Sequence, residues 1–266
     1  MGDVWAVAGA YEEYVGRWSR RVAAEFVRWL EVPADRRWLD AGCGTGALAE
    51  AVVDAAAPAT VVGVDMSHGF LGEAQRRISA AATTGFVAGD AAALPLAGER
   101  FDAVVSGLAL NFVPRPERAV AEFARVAAPG ATVAAYVWDY ADGMRMMRHF
   151  WDAAIEVDPA AAERDEGPRF PICHPGALHE AWTAAGLTGV ATRAIEVPTV
   201  FADFDDYWRP FLGGQGPGPA YVVAMPPDQR EAIRALLDSR LPRQADGSIA
   251  LTARAWAARG EKASHF

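Results

Sequence analysis

One short stretch, Trp38-Leu39-Asp40-Ala41-Gly42-Cys43-Gly44-Thr45-Gly46, constrains the fold of this chain more than any other. Its apolar beginning predicts a buried strand. Its three glycines predict a sharp turn into a helix from about Ala47 to Ala56, because glycine permits backbone conformations that other residues avoid. Two further apolar runs end near acidic residues, at Asp65 and at Asp90. Open α/β sheets bind ligands where the carboxyl ends of their strands meet, so these strand ends predict one nucleoside pocket.

Two cofactors fit this pattern when it is taken alone. Gly42-x-Gly44-x-x-Ala47, with an acidic residue about 20 positions further on, also matches the nicotinamide dinucleotide fingerprint. Asp40 favours the other candidate, because a carboxylate directly before the turn repels a pyrophosphate. S-Adenosylmethionine carries an ammonium and a sulfonium but no phosphate, so an anion beside the turn suits it. Asp65 is placed to hold a ribose diol, and Asp90 is placed to meet an adenine amino group.

The chain resembles the class I S-adenosylmethionine-dependent methyltransferases. The first two motifs of that family are matched by Leu39 to Gly46 and by Val62 to Ser67. The third motif is matched from Gly89 to Ser106, and the turn before the fifth strand by Arg125 to Ala131. The closest group is that of small-molecule enzymes of ubiquinone and menaquinone biosynthesis. The resemblance covers about residues 11 to 138 well, and beyond them only the outline of the fold is recognisable.

This resemblance implies an α/β fold with a Rossmann-like, seven-stranded, mostly parallel sheet, helices on both faces, an antiparallel last strand and helical insertions. It implies one methyltransferase domain over residues 1–266. Residues 1–35 would form an N-terminal helical lid, and 36–138 the cofactor-binding core. The insertions at 139–175 and 202–241 would form the substrate pocket.

The expected contacts with S-adenosylmethionine follow from the matched motifs. The glycine turn would hold the methionine end, with Asp40 near its ammonium group. Residues beside Asp65 and Asp90 would frame the adenine, and the end of the fourth strand would flank the sulfonium. Two N-terminal aromatic residues would close over the cofactor, or only pack against the sheet. The complete set is Tyr14, Trp18, Asp40, Ala41, Gly42, Gly44, Gly46, Asp65, Met66, Asp90, Ala91, Ser106 and Leu108.

The sequence shows no clear general base, so no catalytic residue is assigned. A sulfonium is an excellent leaving group, and positioning with exclusion of water can supply most of the rate of methyl transfer. Three histidines lie in the expected substrate half: His149, His174 and His179. His174 is also explained by helix capping or exposure, and His179 by a structural role or exposure, without any role in catalysis. Asn111 follows the fourth strand, and it either hydrogen-bonds substrate or cofactor or forms a turn.

Composition limits the class of partner. The net charge of −9 argues against a nucleic-acid groove, which needs clustered lysine and arginine. The two cysteines, Cys43 and Cys173, suggest no disulfide scaffold, and no metal-ligand spacing is apparent. We see neither a secretory leader nor a run long enough to cross a membrane, and therefore expect a cytoplasmic protein without a membrane partner.

We therefore predict S-adenosylmethionine-dependent methyl transfer to a small, largely apolar or aromatic molecule, on oxygen, nitrogen or carbon. Aromatic residues of the insertions and the acidic charge favour that acceptor class. Three alternatives stay open: a peptide or protein acceptor, a nicotinamide-dependent oxidoreductase, and a module that senses the cofactor without catalysis. The glycine- and proline-rich run at 213–219 predicts a hinge or loop.

Overall fold

A seven-stranded sheet organises the computed structural model, which describes residues 16–78, 83–214 and 216–264. The strands are β1 (Arg37–Ala41), β2 (Thr60–Asp65), β3 (Thr83–Ala88), β4 (Phe101–Gly107), β5 (Ala127–Trp138), β6 (Leu187–Phe201) and β7 (Ile249–Lys262). Their order is β3-β2-β1-β4-β5-β7-β6. Strands β1 to β5 pair in parallel, and the last strands are antiparallel. The predicted fold class is confirmed.

The helices alternate with the strands in the first half of the chain and form the insertions in the second. They are α1 (Arg17–Leu30), α2 (Ala47–Ala56), α3 (His68–Arg77), α4 (Pro116–Val126), α5 (Arg145–Val157), α6 (Glu166–Arg169), α7 (Pro175–Ala184), α8 (Phe204–Trp208), α9 (Pro217–Ala224) and α10 (Pro227–Arg240). Short 3₁₀-helices span Leu110–Phe112, Pro159–Glu163 and Arg209–Gly213.

The strand order reverses beside β1, which lies between β2 and β4. Leu39 is opposite Val62 on one side and Val104 on the other. The apolar residues of β1 are completely buried, as expected for a strand that is covered on both faces. In open α/β sheets such a reversal leaves a crevice at the carboxyl ends of the strands. The glycine-rich turn follows the carboxyl end of β1 and therefore lies at this edge.

The chain divides into two compact units, which we call unit one and unit two. Unit one comprises the described residues of Met1–Trp18, Trp138–Pro171 and Glu196–Arg254. Unit two comprises those of Ser19–Val137, Ile172–Ile195 and Ala255–Phe266. Each unit has its own core, and they are described separately.

In unit two, large aromatic side chains fill the core around the sheet. The ring of Phe26 on α1 lies 4.7 Å from that of Tyr136 on β5. The indole N–H of Trp182 on α7 donates to the carbonyl oxygen of Val133 at 2.9 Å. A buried indole needs such a partner, because an unpaired N–H loses its bond to water.

In unit one, the methionine- and aromatic-rich insertion forms a core. Met146, Met147 and Trp151 on α5 are buried. The ring of Phe150 stacks on that of Phe211 with centroids 4.5 Å apart. The predicted inserted helix is confirmed, and its apolar residues pack inside the unit.

Two predicted helix ends are wrong by a few residues. Ser67 is a candidate helix cap, and the sequence after it predicts a helix to about Ala82, but α3 ends at Arg77. The sequence also predicts a helix from Pro116 to about Ala128, ended by Pro129-Gly130, but β5 already begins at Ala127. Ala127 pairs with Phe101, and the regular pairing resumes only at Thr132, so the proline and glycine form an irregularity within the strand.

The glycine- and proline-rich run at 213–219 is not one continuous loop. Pro217 begins α9, preceded by Gly216 with a backbone φ of 90°. Proline suits the first position of a helix, because it lacks the N–H that would have no partner there. The predicted hinge or loop is therefore shorter than the run 213–219, because a helix begins at Pro217.

Candidate functional site

The glycine-rich turn needs its glycines at the two positions where neighbours approach most closely. Gly42, Gly44 and Gly46 have backbone φ angles of 75°, 51° and 86°, in the left-handed region. A Cβ atom on Gly42 would lie 2.6 Å from that of Ala109, which is shorter than any ordinary contact. One on Gly46 would lie 3.0 Å from the Cβ of Ala74. The turn is therefore held tightly between neighbouring segments of unit two.

Asp65, at the end of β2, is bonded directly to this turn. Its Oδ2 accepts a hydrogen bond from the backbone N–H of Gly44 at 2.9 Å, and its Oδ1 accepts one from that of Ser67 at 2.8 Å. The backbone N–H of Gly89, after β3, donates to the Asp65 carbonyl oxygen at 3.0 Å. A carboxylate accepts about four hydrogen bonds, so two remain for the hydroxyls of a ribose.

Asp40 is the least satisfied charged group of the site. It is 1% exposed, and among the described residues neither carboxylate oxygen has a hydrogen-bond partner. Burial, and then the charge of Asp65, raise the pKa of Asp40 to about 7. The backbone N–H of Ala49 offsets part of this rise, although it does not meet the distance and angle of a hydrogen bond. A buried carboxylate without a counterion is costly. An ammonium group, such as that of S-adenosylmethionine, would supply the missing partner.

The end of β4 lies against the same turn. The hydroxyl of Ser106 donates to the carbonyl oxygen of Ala41 at 2.7 Å. Leu108 has a backbone φ of 57°, a conformation that is strained for a branched side chain, and its N–H donates to the Tyr136 carbonyl at 2.8 Å. Strain of this kind concentrates at functional sites. The structure thus brings Ser106 to the turn, and that Ser106 and Leu108 flank a sulfonium stays a prediction.

The residues expected to frame the adenine are exposed or only partly buried. Met66 follows Asp65 and is 74% exposed, an unusual exposure for a long apolar side chain. Asp90 is exposed and Ala91 is partly buried. The Oδ1 of Asp90 accepts from the backbone N–H of Ala92 at 2.8 Å, which fixes the loop after β3. That these residues hold an adenine stays a prediction.

The two N-terminal aromatic candidates have different outcomes. Tyr14 lies outside the described residues. Trp18 is buried in unit one, with its ring edge-on to that of Phe201 at 5.6 Å. The guanidinium of Arg17 lies 4.5 Å from the Trp18 ring centroid. These contacts account for its burial by packing, and a role as a lid over the cofactor stays a prediction.

The remaining candidate nucleophile and bases are a buried cysteine, a histidine that caps a helix, an exposed histidine and a partly buried one. Burial raises the pKa of the Cys43 thiol far above its usual range. His174 caps α7, accepting from the N–H of Gly176 at 3.1 Å, and His179 is exposed. Burial, with the charge of Arg145, lowers the pKa of His149, although Asp152 opposes this.

A buried glutamate in unit one was missed by sequence reasoning. Glu166 is 1% exposed and accepts a hydrogen bond from the indole N–H of Trp151. Its Oε1 has no partner among the described residues. Burial raises its pKa to about 7, and the bond from Trp151 offsets part of the rise. Glu166 follows Asp165, which forms an ion pair with Arg148. In the sequence it stands among polar residues, and no apolar pattern there indicates that its side chain is buried.

A cleft of about 480 Å³ in unit two lies at the opposite edge of the sheet. Arg36, Asp102 and Arg259 line it, close to where β1 and β4 begin. Asp102 pairs with Arg37, whose hydrogen bonds lower the pKa of Asp102 to about 2. This cleft does not belong to the predicted cofactor site.

The described ranges contain neither a candidate metal site nor a helix that could span a membrane. No group of three or more His, Cys, Asp or Glu side chains there could hold a metal ion. No helix there has the length and apolarity needed to cross a membrane.

A family model for a methyltransferase domain matches residues 39–135. Malonyl-[acyl-carrier protein] O-methyltransferase of Methylococcus capsulatus is 37% identical over 102 residues, which are 38% of this chain and 37% of that protein. The chain thus spans well under two thirds of the length of this relative. Ubiquinone/menaquinone biosynthesis C-methyltransferase UbiE of Methylobacterium nodulans is 38% identical over 174 residues, which are 60% of this chain and 68% of that protein.

Among solved structures, phosphoethanolamine N-methyltransferase 2 of Haemonchus contortus in complex with S-adenosyl-L-methionine matches with a TM-score of 0.59. The match covers 97% of this chain and 56% of that one, at 16% identity. At this identity the likeness is one of fold alone.

Proposed function

We propose that this chain, which belongs to the class I S-adenosylmethionine-dependent methyltransferases, transfers a methyl group from S-adenosylmethionine to a small, largely apolar or aromatic molecule. The observation that carries the proposal is the buried carboxyl group of Asp40, which has no partner among the described residues and stands beside a turn built for close approach. Membership of the family removes the nicotinamide-dependent oxidoreductase from the alternatives.

The binding roles follow from the charges and the open bonding positions of the site. Asp40 holds the ammonium group, and the turn from Gly42 to Gly46 admits the methionine end. Asp65 holds the ribose with the two acceptor positions that its backbone bonds leave free. Met66 and Asp90 frame the adenine. Ser106 and Leu108 flank the sulfonium from the end of β4.

S-Adenosylmethionine, when bound, supplies an electrophilic methyl group on a good leaving group. The residues of the chain then need to bind, orient and exclude water, which suffices for much of the rate. An acceptor that loses its proton easily needs no general base. Burial raises the pKa of Cys43 and keeps it a neutral thiol, so Cys43 does not supply such a base.

The acceptor class rests on the insertions and on the relatives. The insertions at 139–175 and 202–241 contribute an aromatic and methionine-rich interior to unit one. Methionine and aromatic side chains adapt to apolar ligands. The relative from Methylobacterium nodulans is named as a C-methyltransferase of ubiquinone/menaquinone biosynthesis, which supports a small-molecule acceptor. We propose that the two insertions supply the acceptor pocket.

A second candidate is an acceptor carried on a protein. The likeness to a malonyl-[acyl-carrier protein] O-methyltransferase favours it. In that case the methyl group would be found on a protein-bound thioester, and not on a free small molecule.

Methyl-labelled S-adenosylmethionine distinguishes these candidates. The protein is incubated with it and with a lysate divided into small-molecule, protein and nucleic-acid fractions. We expect label in the small-molecule fraction, with loss of that label in Asp65→Ala but not in Asp54→Ala, an exposed aspartate on α2. Label in the protein fraction would favour the second candidate. Binding of S-adenosylhomocysteine without label in any fraction would favour a sensor.

A further inference from the structure

Asn111 is the only asparagine in the chain, and its side chain is buried without a partner. The residue is 7% exposed, and among the described residues neither Nδ2 nor Oδ1 forms a hydrogen bond. Native proteins pair nearly all their buried amide groups, so an exception calls for an explanation. A carboxamide is unusual in offering a donor and an acceptor side by side.

Local turn formation does not explain this side chain. An asparagine that forms a turn accepts a backbone N–H through its Oδ1. Here the 3₁₀-helix Leu110–Phe112 is closed by backbone bonds alone, from Phe112 to the Ala109 carbonyl at 3.0 Å and from Val113 to the Leu110 carbonyl at 3.2 Å. Asn111 thus lies in a turn, as one of its two sequence interpretations predicts, but its side chain forms no hydrogen bond with that turn.

The segment that carries Asn111 lies on the glycine-rich turn. Ser106 bonds to the carbonyl of Ala41, and Ala109 occupies the space that a side chain on Gly42 would need. The strained backbone of Leu108 lies between these two contacts. All of these residues belong to unit two, and Asn111 follows Ala109 by two positions.

The charged carboxylate of S-adenosylmethionine has no partner in the proposed site. Asp40 is assigned to the ammonium, Asp65 to the ribose and Asp90 to the adenine amino group, which leaves the carboxylate. Because Asp40 and Asp65 are both acidic, a carboxylate near them needs a hydrogen-bond donor that adds no negative charge. The Nδ2–H₂ group of Asn111 is such a donor, and its Oδ1 can accept from the neighbouring ammonium.

We propose that Asn111 is a positioning residue that recognises the α-amino-acid group of S-adenosylmethionine, with Nδ2 donating to the carboxylate. The inference rests on the proposed function, because it presumes that cofactor. It gives the buried amide its missing partner, and it makes Asn111 specific for the methionine half of the ligand.

Two nucleosides separate this role from a structural one. S-Adenosylhomocysteine carries the amino-acid group, and 5′-methylthioadenosine lacks it. In Asn111→Leu we expect the affinity for S-adenosylhomocysteine to fall about tenfold or more, as for loss of a hydrogen bond to a charged group, and the affinity for 5′-methylthioadenosine to stay unchanged. Calorimetric titration of each variant with each nucleoside gives both values.

The thermal stability of Asn111→Leu without ligand gives a second, independent test of this role. Removing a buried amide that lacks a partner is neutral or stabilising, so the melting temperature of Asn111→Leu without ligand should equal or exceed that of the wild type. Thr199→Val is the matched control, because the Thr199 hydroxyl is also buried without a partner but lies in unit one. It should keep both affinities. If Asn111→Leu does not fold, Asn111→Asp keeps the shape and should weaken only S-adenosylhomocysteine, by repelling its carboxylate.

The single asparagine also gives a direct spectroscopic probe. Labelling with asparagine that carries ¹⁵N in its side-chain amide produces one pair of amide resonances. We expect S-adenosylhomocysteine to shift this pair and to slow its hydrogen exchange, and 5′-methylthioadenosine to leave it nearly unchanged. Equal weakening of both nucleosides, equal retention of both, or a pair unmoved by bound S-adenosylhomocysteine would overturn the inference. If the wild type binds neither nucleoside, the proposed function itself is wrong.

Discussion

Replacing Asp40 by asparagine should make the stability of the protein less dependent on pH. The folded state raises the pKa of Asp40 from an ordinary value of 3.8 to about 7, mainly by burial. Between these values the native state keeps a proton that the unfolded chain has released. The free energy of unfolding therefore falls as the pH rises through this window, and it levels off above about pH 7.

The size of the effect follows from the same two pKa values. At about 1.4 kcal/mol for each pH unit, the whole interval corresponds to roughly 4 kcal/mol. From pH 5 to pH 7 the wild type should lose about 2 to 3 kcal/mol of stability through Asp40 alone. Asp40→Asn has no proton to lose at this position, so its stability relative to the wild type should rise by that amount over the same range.

Urea unfolding without ligand at pH 5, 6, 7 and 8 measures this difference. The contribution of Glu166, whose pKa burial raises to about 7, is common to both proteins and cancels in the comparison. Asp54→Asn, which makes the same substitution at an exposed aspartate on α2, is the matched control. A difference between Asp40→Asn and the wild type that stays constant from pH 5 to pH 7 would refute the reasoning, since Asp40 would then titrate normally.

Three further results are expected. Asp65→Ala should weaken the binding of S-adenosylhomocysteine by about tenfold or more in calorimetry, because it removes the carboxylate that we propose to bond the ribose. An unchanged affinity would contradict that assignment. Burial raises the pKa of Glu166 from an ordinary 4.5 to about 7, so Glu166→Gln should lose less stability than the wild type between these pH values, with the contribution of Asp40 remaining in both proteins. Urea unfolding followed by tryptophan fluorescence measures the two slopes, and equal slopes would contradict a contribution from Glu166. Gly42→Ala should destabilise the protein by roughly 1 to 3 kcal/mol in thermal unfolding, because the backbone φ is 75° and the new Cβ would lie 2.6 Å from that of Ala109. Gly72→Ala is the control, since no atom lies within 4 Å of its new Cβ, and it should not destabilise the protein. Equal effects of the two substitutions would contradict this geometry.

The first half of the chain could be predicted closely because its signals are local. The helix from Ala47 to Ala56 has the predicted bounds, since Gly46 precedes it and Pro58 follows it closely, and β2 ends at Asp65 as expected. Ser67 caps α3 as expected, accepting from the N–H of Phe70 at 3.3 Å. In contrast, the irregular pairing around Pro129 depends on which residues of β4 lie opposite, and this information is absent from the local pattern.

The second half could not be predicted to the same depth, because its important features arise from tertiary burial. In the sequence, Glu166 does not differ from the polar residues around it. In the structure its carboxyl group is buried and accepts a hydrogen bond from Trp151, a residue 15 positions away. Asn111 was recognised as a candidate, but the sequence gives no sign that its amide lacks partners. Asp40 was identified from its place before the turn, and the structure adds its burial and its raised pKa.

Calorimetric titration of the wild-type protein with S-adenosylhomocysteine, and separately with NAD, tests the central claim most directly. The account predicts saturable binding of one S-adenosylhomocysteine, with Asp40→Asn binding it more weakly, and no binding of NAD. Binding of NAD, or an affinity for S-adenosylhomocysteine that is the same in Asp40→Asn and the wild type, would contradict the assignment of the acidic, glycine-rich turn to this cofactor.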